Sequence, residues 1–140
     1  MTNETDMIEG LARISLFADL ARPQLEAILH TYDEELFPEG QRILRQGLSG
    51  SGLYIVLDGE AAILINGEER LRHGRGEFFG EVSSLLGEAP TADVVAATPL
   101  RCLVVPGPEV RRFLLDNPPV AVRMLEAEAR RLATTLQWLE

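Results

Sequence analysis

The chain has no lysine. Its 13 basic residues are all arginine, set against 22 acidic ones, which gives 140 residues a formal charge of -9. That balance opposes non-specific binding to DNA or to an anionic membrane surface, where clustered cations and counterion release supply the affinity. Neither nucleic acid nor membrane is therefore expected as a partner. Cysteine is nearly absent too. The single Cys102 cannot close an internal disulfide, and its setting in the apolar run "LRCLVV" suits a buried small hydrophobe in a reducing, cytoplasmic compartment. Only two histidines occur, His30 and His73, with no Cys or His partner at ligand spacing, so no metal site is expected. No apolar run approaches the roughly 18 residues of a spanning helix, and the acidic opening "MTNETDMIEG" lacks the basic and apolar regions of a signal peptide.

Catalytic patterns are missing as well. There is no Gly-x-Ser-x-Gly elbow, and one cysteine with two scattered histidines does not make a nucleophile pair. "GLSGSGLY" carries the glycines of a phosphate loop, but Leu53-Tyr54 stands where Lys-Ser/Thr is required, so a strand-joining turn is the expectation. The chain is expected to be no enzyme and to need no cofactor.

What is present points to one compact domain over 1–140, the length at which a chain buries roughly two-thirds of its unfolded surface. Residues 6–32 read as helices. Asp6 with Glu9 resembles a capping box, and Pro23 fits the first turn of a second helix whose Leu25, Ile28, Leu29 and Tyr32 share a face. From 34 to 105 the texture changes to short β-rich runs punctuated by glycine. Asn66-Gly67 is a strong type I′ hairpin signal between the fourth and fifth runs. Such runs predict a mainly β fold, a jelly roll or small barrel with flanking helices. One helix-like piece, Gly80 to Leu86, interrupts them, and its Val82, Leu85 and Leu86 at three-to-four spacing predict that it lies with these side chains against the strands. Helix resumes over 108–140, with Val110, Phe113 and Leu114 expected to face inward before a break at "DNPP". From Pro119 the last helix is about 22 residues, roughly 33 Å long. Its line of Ala121, Leu125, Ala129, Leu132, Leu136 and Leu139 suits packing on a second helix, in a homodimer or a partner protein, about as well as packing back on its own barrel.

One constellation carries chemistry. In "FFGEVSSLLGEAPTADV" a glycine and a carboxylate open the short helix. A helix start presents unpaired N–H groups suited to a phosphate, Gly80 would let a ligand approach the backbone, and Glu81 could accept from ribose hydroxyls. Complementing the helix dipole is the plainer role for Glu81.

The order of elements decides between them. Two helices, a glycine-punctuated strand set interrupted by Phe-Gly-Glu and a short helix, then a break and a long helix resemble the cyclic-nucleotide-binding domain, over about Leu11 to Leu136. "LFPEGQRILRQG" looks like the family's opening strands, "GLYIVLDGEAAI" like its central segment, "GEFFGEVSSLLGEAPTADVVAAT" like its phosphate-binding cassette and "NPPVAVRMLEAEARRL" like its final helix. The resemblance implies a β roll with N-terminal helices and a long C-terminal helix, and a ligand of the cAMP or cGMP type. It implies that Gly80, Glu81 and the adjoining Val82 face the nucleotide, with the Glu81 carboxylate on the ribose 2′-hydroxyl. Thr91 and Ala92 match the Ser/Thr-Ala that closes the cassette. Arg131 and Thr135 match an arginine and a base-contacting threonine of the last helix, although Leu136 replaces the polar residue after the threonine.

The sequence departs from the pattern at Pro90, which stands where the family has its phosphate-binding arginine. Proline removes the guanidinium fork and offers no N–H. A hydrogen bond to a charged partner is worth roughly 1.5–3 kcal/mol, on the order of ten- to hundredfold in affinity. Arg72, Arg75 and Arg101 are the cations that neighbouring strands could lend. Two readings stand at this point: a sensor that binds cAMP or cGMP weakly and signals through the C-terminal helix, or a domain of the same fold that serves dimerisation or partner docking through 119–140. A third is the sensor part of a transcription regulator without its DNA-binding domain.

Overall fold

The computed structural model describes residues 3–48 and 52–137. Leu139 and the middle of the "GLSGSGLY" turn lie outside the described residues. Helix α1 (Glu4–Ala12) is followed by a single 3-10 turn, and α2 spans Arg22–Thr31. The strands are β1 (Asp33–Phe37), β2 (Arg42–Leu44), β3 (Gly52–Asp58), β4 (Ala61–Ile65), β5 (Glu68–His73), β6 (Phe78–Phe79), β7 (Asp93–Ala96) and β8 (Leu100–Pro106). Helix α3 (Glu81–Leu86) stands between β6 and β7, and α4 (Val110–Asp116) and α5 (Pro118–Gln137) close the chain.

Two four-stranded antiparallel sheets form a jelly-roll-like sandwich, ordered β1-β8-β3-β6 and β2-β7-β4-β5, rather than a closed barrel. The β4–β5 hairpin turns at Asn66 (φ 53°) and Gly67 (φ 84°), the two left-handed residues that a type I′ turn requires. β3 and β8 are buried on both faces, which explains their unbroken apolar runs. Side chains alternate along a strand, so Leu53, Ile55 and Leu57 with Leu103 and Val105 meet the helices, while Val56, Leu100 and Cys102 enter the sandwich. Burial pushes the Cys102 thiol up to about 12, as suits an inert side chain.

The helices pack as the sequence leads one to expect in two places and otherwise in two others. α2 carries Pro23 in its first turn and buries Leu25 and Ile28, and α4 buries Val110 and Phe113. The cap of α1, however, is Asn3, whose Oδ1 accepts from the Asp6 N–H at 2.8 Å. Asp6 therefore sits inside the first turn and is no cap, because the helix starts earlier, at Glu4, and Asn3 caps it. The larger correction is α3. It turns Glu81 and Ser83 inward and leaves Val82, Leu85 and Leu86 exposed, the reverse of the expected face. In α5, Val120 and Met124 enter the core shared with α1 and α2, whereas Leu125, Leu132 and Leu136 are exposed. Of the two fates open to that stripe, packing back on its own domain is thus not adopted. Among the described residues no helix is long and apolar enough to cross a membrane.

Candidate functional site

The site is built where β6 hands the chain to α3. Gly80 has φ 87°, a left-handed conformation that side chains strain to adopt, and a Cβ there would stand 2.0 Å from the Gly52 carbonyl oxygen. The close approach that demands glycine is thus to β3, whereas a ligand had been the expected neighbour. Ser84 reinforces the junction. Its hydroxyl donates to the Gly80 carbonyl at 2.9 Å and accepts the Gly52 N–H at 2.9 Å. That bridge ties the first turn of α3 to β3 through polar groups. Gly87 (φ 68°) ends the helix, and the Pro90 carbonyl accepts from the Gly47 N–H at 2.9 Å, tying the following turn to the end of β2.

A cavity of about 120 Å³ opens between this turn, the sandwich and α5. Gly80, Glu81, Val82, Thr91, Ala92 and Arg131 all border it, as does Pro90. The seventh expected residue does not. Thr135 is exposed, and its hydroxyl donates to the Arg131 carbonyl of its own helix at 3.0 Å. One turn beyond Arg131, its direction along α5 takes it past the cavity mouth. His73, from β5, lines the cavity although sequence reasoning gave it no role.

Arg131 is the centre of the polar network. Its guanidinium donates to Glu81 Oε1 at 2.9 Å, to Glu128 Oε1 at 3.1 Å and to the Phe78 carbonyl at 2.9 Å. The same group lies 4.3 Å over the Phe78 ring, within cation–π range. Glu81 is only 4% exposed, and its second oxygen, Oε2, is buried with no hydrogen-bond partner among the described residues. Burial above all, then the neighbouring Glu128 carboxylate, pushes the Glu81 carboxyl up to about 8 against the opposing pull of Arg131. His73 is held below the usual histidine range, first by burial and also by Arg131, while Glu77 pulls the other way. The cavity thus contains a dry, incompletely satisfied carboxyl, one arginine that spans two elements, and a neutral imidazole.

None of the three neighbouring arginines comes to replace the missing cation at position 90. Arg72 pairs with Glu69 and Glu60, Arg101 pairs with Glu34, and Arg75 donates to the carbonyls of Leu57 and Gly10. Among the described residues no group of His, Cys, Asp and Glu is placed to hold a metal ion.

Against known proteins, the family model described as "Cyclic nucleotide-binding domain" matches residues 34–117. The structure superposes on Thermus thermophilus catabolite activator protein with a TM-score of 0.78 at 30% identity, over 89% of this chain and 61% of that one. The N-terminal domain of a transcriptional regulator from Streptomyces coelicolor A3(2) matches with a TM-score of 0.65 and 30% identity, over 90% of this chain and 94% of that domain. Among curated proteins, the cGMP-dependent protein kinase egl-4 of Caenorhabditis briggsae is 31% identical over 105 residues, 71% of this chain and 14% of the kinase. The chain therefore spans a small part of the kinase it matches and under two-thirds of the activator protein.

Proposed function

The chain belongs to the cyclic nucleotide-binding domain family, and from that premise we propose that it is a regulatory sensor, weak for cAMP or cGMP, that reports occupancy of the Glu81 cavity to α5 through Arg131. The observation that carries this reading is the reach of Arg131 from α5 to the buried Glu81 and the Phe78 carbonyl. The first turns of α5 are fixed by Val120 and Met124 in the core and by the Arg123–Asp19 ion pair at 2.8 Å. Beyond them, Arg131 binds the second half of α5 to the cassette. Whatever alters the Glu81–Arg131 pair therefore alters the anchoring of that half.

A nucleotide fits the chemistry of the cavity in part. Glu81 Oε2 lacks a hydrogen-bond partner, which a ribose hydroxyl would supply once the site opens. The Thr91 hydroxyl and the N–H groups at the start of α3 would meet the phosphate, without the guanidinium that Pro90 replaces. At about 120 Å³ the cavity is smaller than the roughly 300–1,000 Å³ of ordinary ligand sites, so binding requires α3 or Arg131 to move. That movement is the signal. Titration calorimetry of the domain with cAMP and cGMP, carried to millimolar ligand, tests the proposal. Weak saturable binding is expected in the native protein, and Pro90→Arg should tighten it by roughly ten- to hundredfold. No heat from either protein would sink the sensor reading.

A second reading, self-association through 119–140, is favoured by one observation. Val122, Leu125, Ala129, Leu132 and Leu136 recur at three- and four-residue spacing on the outer face of α5, and the four larger side chains are 50–69% exposed. That is the seam of a two-helix coiled coil. Sedimentation should find a dimer, and Leu132→Asp should yield a monomer that keeps its fold. The two readings are compatible, since a seam joined to the cavity by Arg131 is an output surface.

A further inference from the structure

His73 has a feature that neither the family pattern nor the weak-sensor reading uses. The imidazole is 8% exposed at the end of β5, and its Nδ1 lies 3.1 Å from Glu77 Oε2. A carboxylate only accepts, so this contact places the proton of the neutral ring on Nδ1. Nε2 is then a bare lone pair. It has no partner among the described residues and is not one of their sealed orphan atoms, so it reaches accessible space, and the space His73 borders is the Glu81 cavity. Glu81, whose Oε2 is sealed without a partner among the described residues, borders the same cavity. Of the five N–H groups of Arg131, three are already taken by Glu81, Glu128 and Phe78, and Pro90 supplies none.

We infer that His73 is a recognition residue of this cavity, its Nε2 accepting a hydrogen bond from an O–H or N–H group of the bound nucleotide. The inference rests on the proposed nucleotide site and adds to it a preference for ligands that present donors. Glu77 acts as a positioning residue, since it selects the tautomer that leaves Nε2 bare. The charged groups around the ring are Glu77 from the turn before β6 and Arg131 and Glu128 from α5. Glu77 and Glu128 can only accept, and three of the five N–H groups of Arg131 are already taken by the partners named above.

The test uses the whole domain with cAMP as the probe, at neutral pH. His73→Leu should weaken binding by about tenfold, and His73→Gln, whose amide oxygen can accept in its place, should recover most of the loss. In the native protein the ¹⁵N resonance of Nε2 should shift on saturation with cAMP while that of Nδ1 moves less. Saturable binding with Nε2 unmoved, or with His73→Leu binding as tightly as the native chain, overturns the inference and leaves the sensor reading intact. Failure of the native domain to bind cAMP or cGMP overturns the sensor reading for those ligands, and this inference with it. The resonance measurement needs no substitution, so a His73→Leu chain that fails to fold does not shelter the claim.

Discussion

Helices α3 and α4 lie against each other and are nearly equal in length, yet they are held by opposite means. α4 is an ordinary amphipathic helix of about two turns: Val110 and Phe113 are fully buried, and Arg111 and Arg112 face out. α3 presents its polar side to the interior and its leucines to solvent. Burial fixes α4. α3 is fixed at its N-terminal end by backbone: Gly80 pressed on Gly52 and the Ser84 hydroxyl shared between them. The difference teaches where free energy goes in this fold. The core stabilises α4, whereas around α3 hydrogen bonds hold a carboxyl in the interior.

The contrast breaks hardest on the α4 side. Phe113 is buried and meets Tyr32 edge-to-face at 5.3 Å. Phe113→Ala should cost about 3–5 kcal/mol and lower Tm by roughly 10–20 °C in a thermal scan. A fall of only a few degrees would mean that α4 is not the packed element described. Arg131→Ala comes next. It strips the cation from Glu81 and uncovers Phe78, for an expected loss of about 1–3 kcal/mol by chemical denaturation, kept moderate because Glu81 can take up a proton. Nucleotide binding should disappear in the same variant. Retained affinity would show that the cavity does not depend on α5.

Glu81→Gln sharpens the comparison by pH. The carboxyl is pushed up to about 8 in the folded chain from an ordinary 4.5. Between those values the folded state keeps a proton that the unfolded chain releases. Stability therefore falls as pH rises through that window. Glutamine has no proton to lose, and pH effects of the overall charge are nearly common to both proteins. The Tm of Glu81→Gln relative to the native chain should accordingly climb between about pH 5 and pH 8.5, while ligand affinity falls. A gap that stays constant with pH would show that the buried carboxyl is not the titrating group.

The same contrast explains what could be read from the sequence. The hairpin at Asn66-Gly67, the β-rich runs of β3 and β8 and the inward face of α4 were legible because each follows from local conformation or from a period longer than the element's own uncertainty. The two residues of β6 show no period at all. α3 is under two turns long, so its three apolar residues mark a side without saying which way that side turns; the direction was decided by Gly52, some 30 positions away in sequence. Glu81, Thr91 and Arg131 were legible from the motif, and the cavity gathers all three. His73 was not, because its role depends on Glu77 fixing one nitrogen and the cavity exposing the other. Thr135 fits the motif and misses the site, since matching a position fixes a place along the helix and leaves the packing of that turn undetermined.

The smallest expected effect lies on the outer face of α3. Leu86 is 63% exposed, so replacing it removes little surface that folding had taken from water. Leu86→Ser should change stability by no more than about 0.5 kcal/mol, despite deleting an apolar side chain from a helix in an apolar run. Denaturant midpoints of the native and variant proteins measure it. A loss of about 2 kcal/mol or more would mean that the leucines of α3 are covered in solution. Helices α3 and α4 would then both be held by burial, and the distinction between them would rest on Glu81 alone.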